Sequence, residues 1–179
     1  MGEFADLVAA LRVRAHSPDG RIFCEVAGPQ QIEVAFPDNG YYEYLADRDL
    51  ADQLGRLASV AFSRYRREYE EVLHRYRDYQ PAPYELPADT EFRERQAAIR
   101  VSAVSPQRWI EAESRGLARW DVRVEDGARR ALTQGEFLAE VGGAVSALMR
   151  DWRHKVIALT DKIYSIGTPR AYRQERYGQ

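Results

Sequence analysis

The sequence contains the same stretch twice. Sliding its 179 residues along themselves by 88 positions lays residues 3–38 on residues 91–126 without a gap. Identical pairs are Glu3/Glu91, Phe4/Phe92, Ala9/Ala97, Ala10/Ala98, Arg12/Arg100, Val13/Val101 and Ala15/Ala103. Ser17/Ser105, Pro18/Pro106, Ile22/Ile110, Glu25/Glu113, Gly28/Gly116, Val34/Val122 and Asp38/Asp126 complete 14 identities in 36 positions. At this composition, chance would supply about two or three. After that block the register slips by one. At an offset of 87, apolar positions still coincide: Leu50/Phe137, Leu54/Val141, Leu57/Ala144, Ala58/Val145, Ala61/Leu148, Tyr65/Trp152 and Val72/Leu159. A duplicated chain must fold as one small module built twice. A unit of about 75 residues buries too little surface to stand well alone.

The first copy predicts a short helix over Glu3 to Ala10, and the second one over Thr90 to Ala98. Val13 and Ala15 then alternate with Arg12, Arg14 and His16, the period of two of a strand with one buried face. Ser17-Pro18-Asp19-Gly20 is a turn, because Pro presets φ and Gly accepts a positive φ. Its counterpart Ser105-Pro106-Gln107-Arg108 lacks the Gly and is expected to turn less tightly. Second strands follow, burying Ile22, Cys24 and Val26 in one copy and Ile110 and Ala112 in the other. Gly28-Pro29 and Gly116 then lead into strands around Val34 and Val122. Each copy is therefore a three-stranded antiparallel meander.

A long amphipathic helix closes each copy. The first is capped by Asp47 or Asp49 and runs to about Tyr79. The second opens on the capping box Thr133/Glu136 and runs to about Ile166, where Gly167-Thr168-Pro169 stops it. Thirty helical residues span about 45 Å, more than a three-stranded sheet needs for cover. The overhang carrying Tyr69, Val72, Leu73 and Tyr76 is expected to pack on the other copy. The organisation is α+β: a first repeat over 1–79, a Pro-rich linker over 80–89, a second repeat over 90–167 and a basic, aromatic tail over 168–179. The two tandem repeats of short helix, meander and long helix are expected to pack as an intramolecular pseudo-dimer, a monomer of about 20.6 kDa.

Composition excludes several classes. With 45% hydrophobic and 30% charged residues, the chain is neither disordered nor a disulfide scaffold. No apolar run approaches the roughly 18–20 residues that span a bilayer. Leu7 to Leu11 follows Glu3 and Asp6, unlike a signal peptide, so a cytoplasmic location is expected. Cys24 is the only cysteine, without a disulfide or metal partner. Of the 26 basic residues only Lys155 and Lys162 are Lys, a bias of GC-rich genomes such as actinobacterial ones.

The order of short helix, meander and long helix resembles the YbaB/EbfC family of nucleoid-associated proteins. Val13-Arg14-Ala15-His16-Ser17-Pro18-Asp19-Gly20-Arg21-Ile22-Phe23-Cys24-Glu25-Val26, Ile32-Glu33-Val34 and Asp49-Leu50-Ala51-Asp52-Gln53-Leu54 carry the resemblance. It covers nearly all of each copy as a pattern, with no chemical motif. It implies a non-catalytic binder of double-stranded DNA, built as a dimer. Related domains also occur among accessory proteins of actinobacterial type VII secretion, which implies a protein-binding scaffold or chaperone-like adaptor as the alternative. That system's Trp-x-Gly and Tyr-x-x-x-Asp/Glu export signals are missing.

Catalysis has little support in the residues. His16, His74 and His154 stand apart, and neither a Gly-x-Ser-x-Gly elbow nor a phosphate-binding Gly loop occurs. Cys24 alternates with Ile22 and Val26 as a buried hydrophobe would. Glu25/Glu113 is the one repeated acidic pair on the sheet, explained by an outward strand position. No enzyme, cofactor or metal is expected.

The net charge of −2 conceals an asymmetry. Residues 1–88 hold 10 basic and 15 acidic side chains (net −5), and residues 89–179 hold 16 and 13 (net +3). Arg115, Arg119 and Arg123 recur around buried Trp120 and Val122, Arg129 and Arg130 replace Tyr41 and Tyr42, and Arg153 and Lys155 add charge on the second long helix. These are the candidate nucleic-acid contacts, joined by Arg170, Arg173 and Arg176 interleaved with Tyr172 and Tyr177 in the tail. The competing reading docks this basic copy on the acidic one. Tyr41, Tyr42, Tyr44, Tyr69 and Tyr76 are candidates for a protein interface, external or between the copies.

Overall fold

The computed structural model describes residues 3–27, 31–37, 40–79 and 87–164. The first unit runs α1 (Glu3–Ala9), β1 (Arg12–His16), β2 (Phe23–Ala27), β3 (Gln31–Ala35), α2 (Tyr41–Tyr44) and α3 (Asp47–Tyr79). The second runs α4 (Pro87–Ala98), β4 (Arg100–Val104), β5 (Ile110–Arg115), β6 (Arg119–Val124), α5 (Ala128–Ala131) and α6 (Gln134–Tyr164). The duplication is thus a structural one, helix, meander and helix in each unit. Two differences from expectation are local. The one-turn helices α2 and α5 precede the long helices, and α4 begins at Pro87 rather than Thr90. Proline suits the first helical turn, where its missing N–H has no partner to lose. The expected linker outside α4 and the tail, with the helix stop at Gly167-Thr168-Pro169, lie outside the described residues.

Each sheet is a meander, β1-β2-β3 and β4-β5-β6, paired antiparallel throughout. The registers match: Ala15 opposes Cys24 in the first sheet, and Ala103 opposes Ala112 in the second. The two β-turns also match, against the expectation of a looser second one. Ser17 accepts Gly20 N–H at 2.8 Å on its carbonyl and Ile22 N–H at 2.9 Å on its hydroxyl. Ser105 accepts Arg108 N–H at 2.9 Å and Ile110 N–H at 3.0 Å in the same way. The missing glycine is accommodated because Arg108 itself takes φ +66°, where Gly20 has +74°. The buried Ser105 hydroxyl donates to the buried Glu140 carboxylate of α6, which also accepts Gln107 N–H at 3.1 Å. In the first unit Asp19 takes that role locally, accepting from Ser17 at 2.5 Å and from Tyr41.

The long helices exchange sheets in part. α3 packs on β1 and β2 of its own sheet and on β6 of the other; α6 packs on β4, β5 and β3. This reciprocal cover makes the two units a pseudo-dimer with a shared core, in which Ile22, Leu50 and Leu57 meet Ile110, Phe137 and Val141. Fully buried side chains of this size each contribute about 1.5–3 kcal/mol. Gly55 lets α3 lie against the free edge of β6, where a Cβ would stand 3.4 Å from the Trp120 carbonyl oxygen. Ser59, one turn later, accepts the Trp120 N–H at 3.2 Å, so an edge donator finds its partner in a helix.

The ends of the long helices are covered differently from expectation. Phe4 of α1 packs on Tyr69 and Tyr76, at ring-centroid distances of 6.2 and 5.1 Å, within its own unit. Phe92 of α4 lies 5.6 Å from Tyr164, whose hydroxyl donates to Asp89 at 2.7 Å. Each short helix presents a phenylalanine to the long helix of its own unit, and that ring covers the tyrosines without the other copy. Asp47, expected as a helix cap, instead joins the units: its carboxylate accepts Gly127 N–H at 2.7 Å and Arg129 N–H at 2.9 Å at the start of α5. The Thr133/Glu136 capping box forms as expected, with Thr133 N–H donating to Glu136 at 2.8 Å and Glu136 N–H to Thr133 at 3.3 Å.

Candidate functional site: an arginine row on the second sheet

Alternation along the strands sends one set of side chains to the helices and the other to the opposite face. On that outer face of the second sheet, register places Arg100 beside Arg115 and Arg115 beside Arg119. Neighbouring strands lie about 4.8 Å apart, so three guanidinium-bearing positions fall in a line about 10 Å across. All three are exposed, and among the described residues none has an ion-pair partner within 4.0 Å. Lys155 of α6 reaches the same end of the sheet, donating to the Arg100 carbonyl at 2.8 Å and to Asp151 at 2.7 Å. The four basic residues line a shallow depression of about 420 Å³ together with Glu113 and Asp121.

The next rows differ in sign. Ser102, Glu113 and Asp121 form the second, and Val104, Glu111 and Arg123 the third. Arg123 is held by Glu111 at 3.6 Å and Asp121 at 3.8 Å. The acids confine the unpaired positive charge to the end of the sheet next to the Gly116 hairpin. That hairpin is tight, with Gly116 at φ +60° and Leu117 at +55°. Leu117 keeps this unusual backbone because its side chain joins the core around Trp120 and its carbonyl accepts the Trp120 indole N–H at 3.0 Å.

The first sheet has the same frame with different chemistry. Its corresponding row is Arg12, Ala27 and Gln31, and its second row is Arg14, Glu25 and Glu33, with Arg14 paired to Glu25 at 2.5 Å. The arginine row is thus a property of the second copy alone.

The structure gathers Arg115, Arg119 and Lys155 of the sequence candidates and adds Arg100, which the reading of charge by clusters passed over. Its identity with Arg12 and its place in the strand alternation were the available signals. Arg129 and Arg130 lie apart, at α5. Arg129 is a junction residue, its guanidinium donating to the Glu43 carbonyl at 2.7 Å. Arg153 is exposed on α6, away from the row. Arg170, Arg173 and Arg176 lie outside the described residues.

The tyrosines divide as well. Tyr41 and Tyr42 are both buried: Tyr41 packs on Phe36 and donates to Asp19 in its own unit, whereas Tyr42 lies 5.2 Å from Phe137 and donates to the Leu132 carbonyl at 3.2 Å in the other. Burial pushes the Tyr42 phenol up to about 12, and the Asp47 carboxylate adds to the shift. Tyr69 and Tyr76 are half-buried against Phe4, and Tyr44 is 87% exposed. Cys24 is buried in the shared core, where burial, with Glu25 adding, raises its thiol to about 12. Among the described residues no group of three or more His, Cys, Asp or Glu is placed to hold a metal ion, and no helix is long and apolar enough to cross a membrane. In comparisons with protein-family models, curated proteins and solved structures, no match to this chain was found.

Proposed function

We propose that the protein is a non-enzymatic, YbaB/EbfC-like nucleoid-associated protein that binds double-stranded DNA through the outer face of its second sheet. The observation that carries this reading is the row Arg100–Arg115–Arg119, without ion-pair partners among the described residues and next to Lys155. A line of guanidinium groups about 10 Å across on a flat sheet face suits phosphates along or across a groove, contacts that position a protein on the duplex and carry no sequence information. Recognition is then electrostatic and independent of sequence, with the acidic row beside it limiting the contact to a few phosphates. The pseudo-dimer packing supports the same reading, since one chain supplies the two-unit scaffold that the resemblance implies.

Three or four phosphate contacts predict a slope of about −3 in log affinity against log salt. Raising salt from 50 to 200 mM should therefore weaken binding about 60-fold. Fluorescence anisotropy with a labelled duplex of mixed sequence reads this directly. Arg115→Ala with Arg119→Ala should bring the slope to about −1 to −2 and weaken all sequences alike. Absence of binding at low salt with tens of micromolar protein refutes the proposal.

A further inference from the structure

A cleft of about 580 Å³ is lined by Phe62 and Tyr65 of α3 and by Met149 and Trp152 of α6. These are equivalent positions of the two copies, Phe62 with Met149 and Tyr65 with Trp152 at the offset of 87. The cleft therefore straddles the pseudo-twofold relation and exists only because both units are present. Leu117 of the β5–β6 hairpin also lines it, and Ile157, 58% exposed, continues the apolar surface along α6. The lining runs from Ser146 to Ile157, which is about 16 Å of helix, or three turns.

Among the described residues, no acidic side chain lines this groove. Arg150, Arg153 and His154 do line it, in a chain whose net charge is −2. A Met- and Trp-containing floor adapts to apolar side chains of different shape, and an open groove three turns long matches a helix lying in it. We propose that this groove docks an amphipathic helix of a partner protein, with an apolar stripe at i, i+4 and i+7 and acidic residues on its flanks. The chain's own 165–179 segment has the wrong sign for this place, with Arg170, Arg173 and Arg176 against Glu175. The groove and the arginine row involve different side chains, so the two proposals stand or fall separately.

The test uses the full chain and a fluorescein-labelled synthetic peptide of about 15 residues, Leu at the helical spacing and Glu and Ala elsewhere. Saturable binding is expected. It should weaken at least about tenfold with Ile157→Asp and with Arg150→Glu, both surface changes, and remain unaltered with Arg115→Ala plus Arg119→Ala. Circular dichroism melting curves establish that each variant is folded. The same peptide with Lys for Glu should bind at least about tenfold more weakly. Equal binding of the two peptides, indifference to both groove substitutions, or no binding at any soluble concentration overturns the proposal. So does binding of dodecanoate at Ile157 and Arg150 without binding of the peptide, which would make the groove a site for small amphiphiles.

Discussion

Two neighbouring glycines in α6 should respond to the same substitution with opposite signs. Gly142 has open space around a prospective Cβ, with nothing within 4 Å. A Cβ on Gly143 would stand 2.5 Å from Cδ and 2.9 Å from Cγ of Pro106, in the β4–β5 turn. Carbon atoms in contact sit about 3.5–4.0 Å apart, so the turn would have to withdraw by about 1 Å. It is poorly placed to do so, because the Ser105 hydroxyl and Gln107 N–H are both held by Glu140, one helical turn earlier on α6. Overpacking of this kind costs about 1–3 kcal/mol. Replacing glycine by alanine in a helix interior contributes about 0.8–1 kcal/mol in the other direction. Gly142→Ala should therefore stabilise the protein by about 1 kcal/mol, and Gly143→Ala should destabilise it by up to about 2 kcal/mol. The propensity gain is common to both variants, so their difference isolates the steric effect of the turn. Urea unfolding followed by circular dichroism measures it; with a slope near 2 kcal/mol/M the midpoints should lie roughly 0.5–1.5 M apart. Equal midpoints for the two variants would refute the docking of the Pro106 turn on α6.

Asp47→Asn keeps the shape of the junction but removes the charge that accepts Gly127 N–H and Arg129 N–H, and should destabilise the protein by about 1.5–3 kcal/mol in the same unfolding assay. A change under about 0.5 kcal/mol would show that this contact does not hold the units together. The Cys24 thiol, raised to about 12 by burial, should resist a thiol-specific reagent at pH 8 in the native protein and react once urea unfolds it. Rapid labelling without denaturant would contradict a closed shared core.

Local features were readable wherever a side-chain period or a turn residue determines them. Arg12 to His16 alternates visibly, and the burial of Val13 and Ala15 follows from that alternation alone. Thr133 and Glu136 form their capping box because both partners lie within one turn. Gly20 was readable as a turn residue, but Arg108 was not. A positive φ at an arginine comes from Ser105 and Glu140, and Glu140 is remote in sequence. Asp47 was similarly opaque. A carboxylate at a helix start is an ordinary cap until another chain segment brings two N–H groups to it.

The duplication, the meander and the division of charge were determined by the sequence itself, because identity, periodicity and composition need no partner to be read. Tertiary structure decided what each surface meets. In a chain of two like units every long helix has two sheets it can cover, its own and the other, and hydrophobic pattern does not distinguish them. Packing does: Gly55 and Ser59 seat α3 on the edge of β6, while Phe4 and Phe92 keep the helix ends within their own units. The same holds for charge. Arg100, Arg115 and Arg119 are scattered along the sequence and become one row only through strand register, which is a property of pairing between segments.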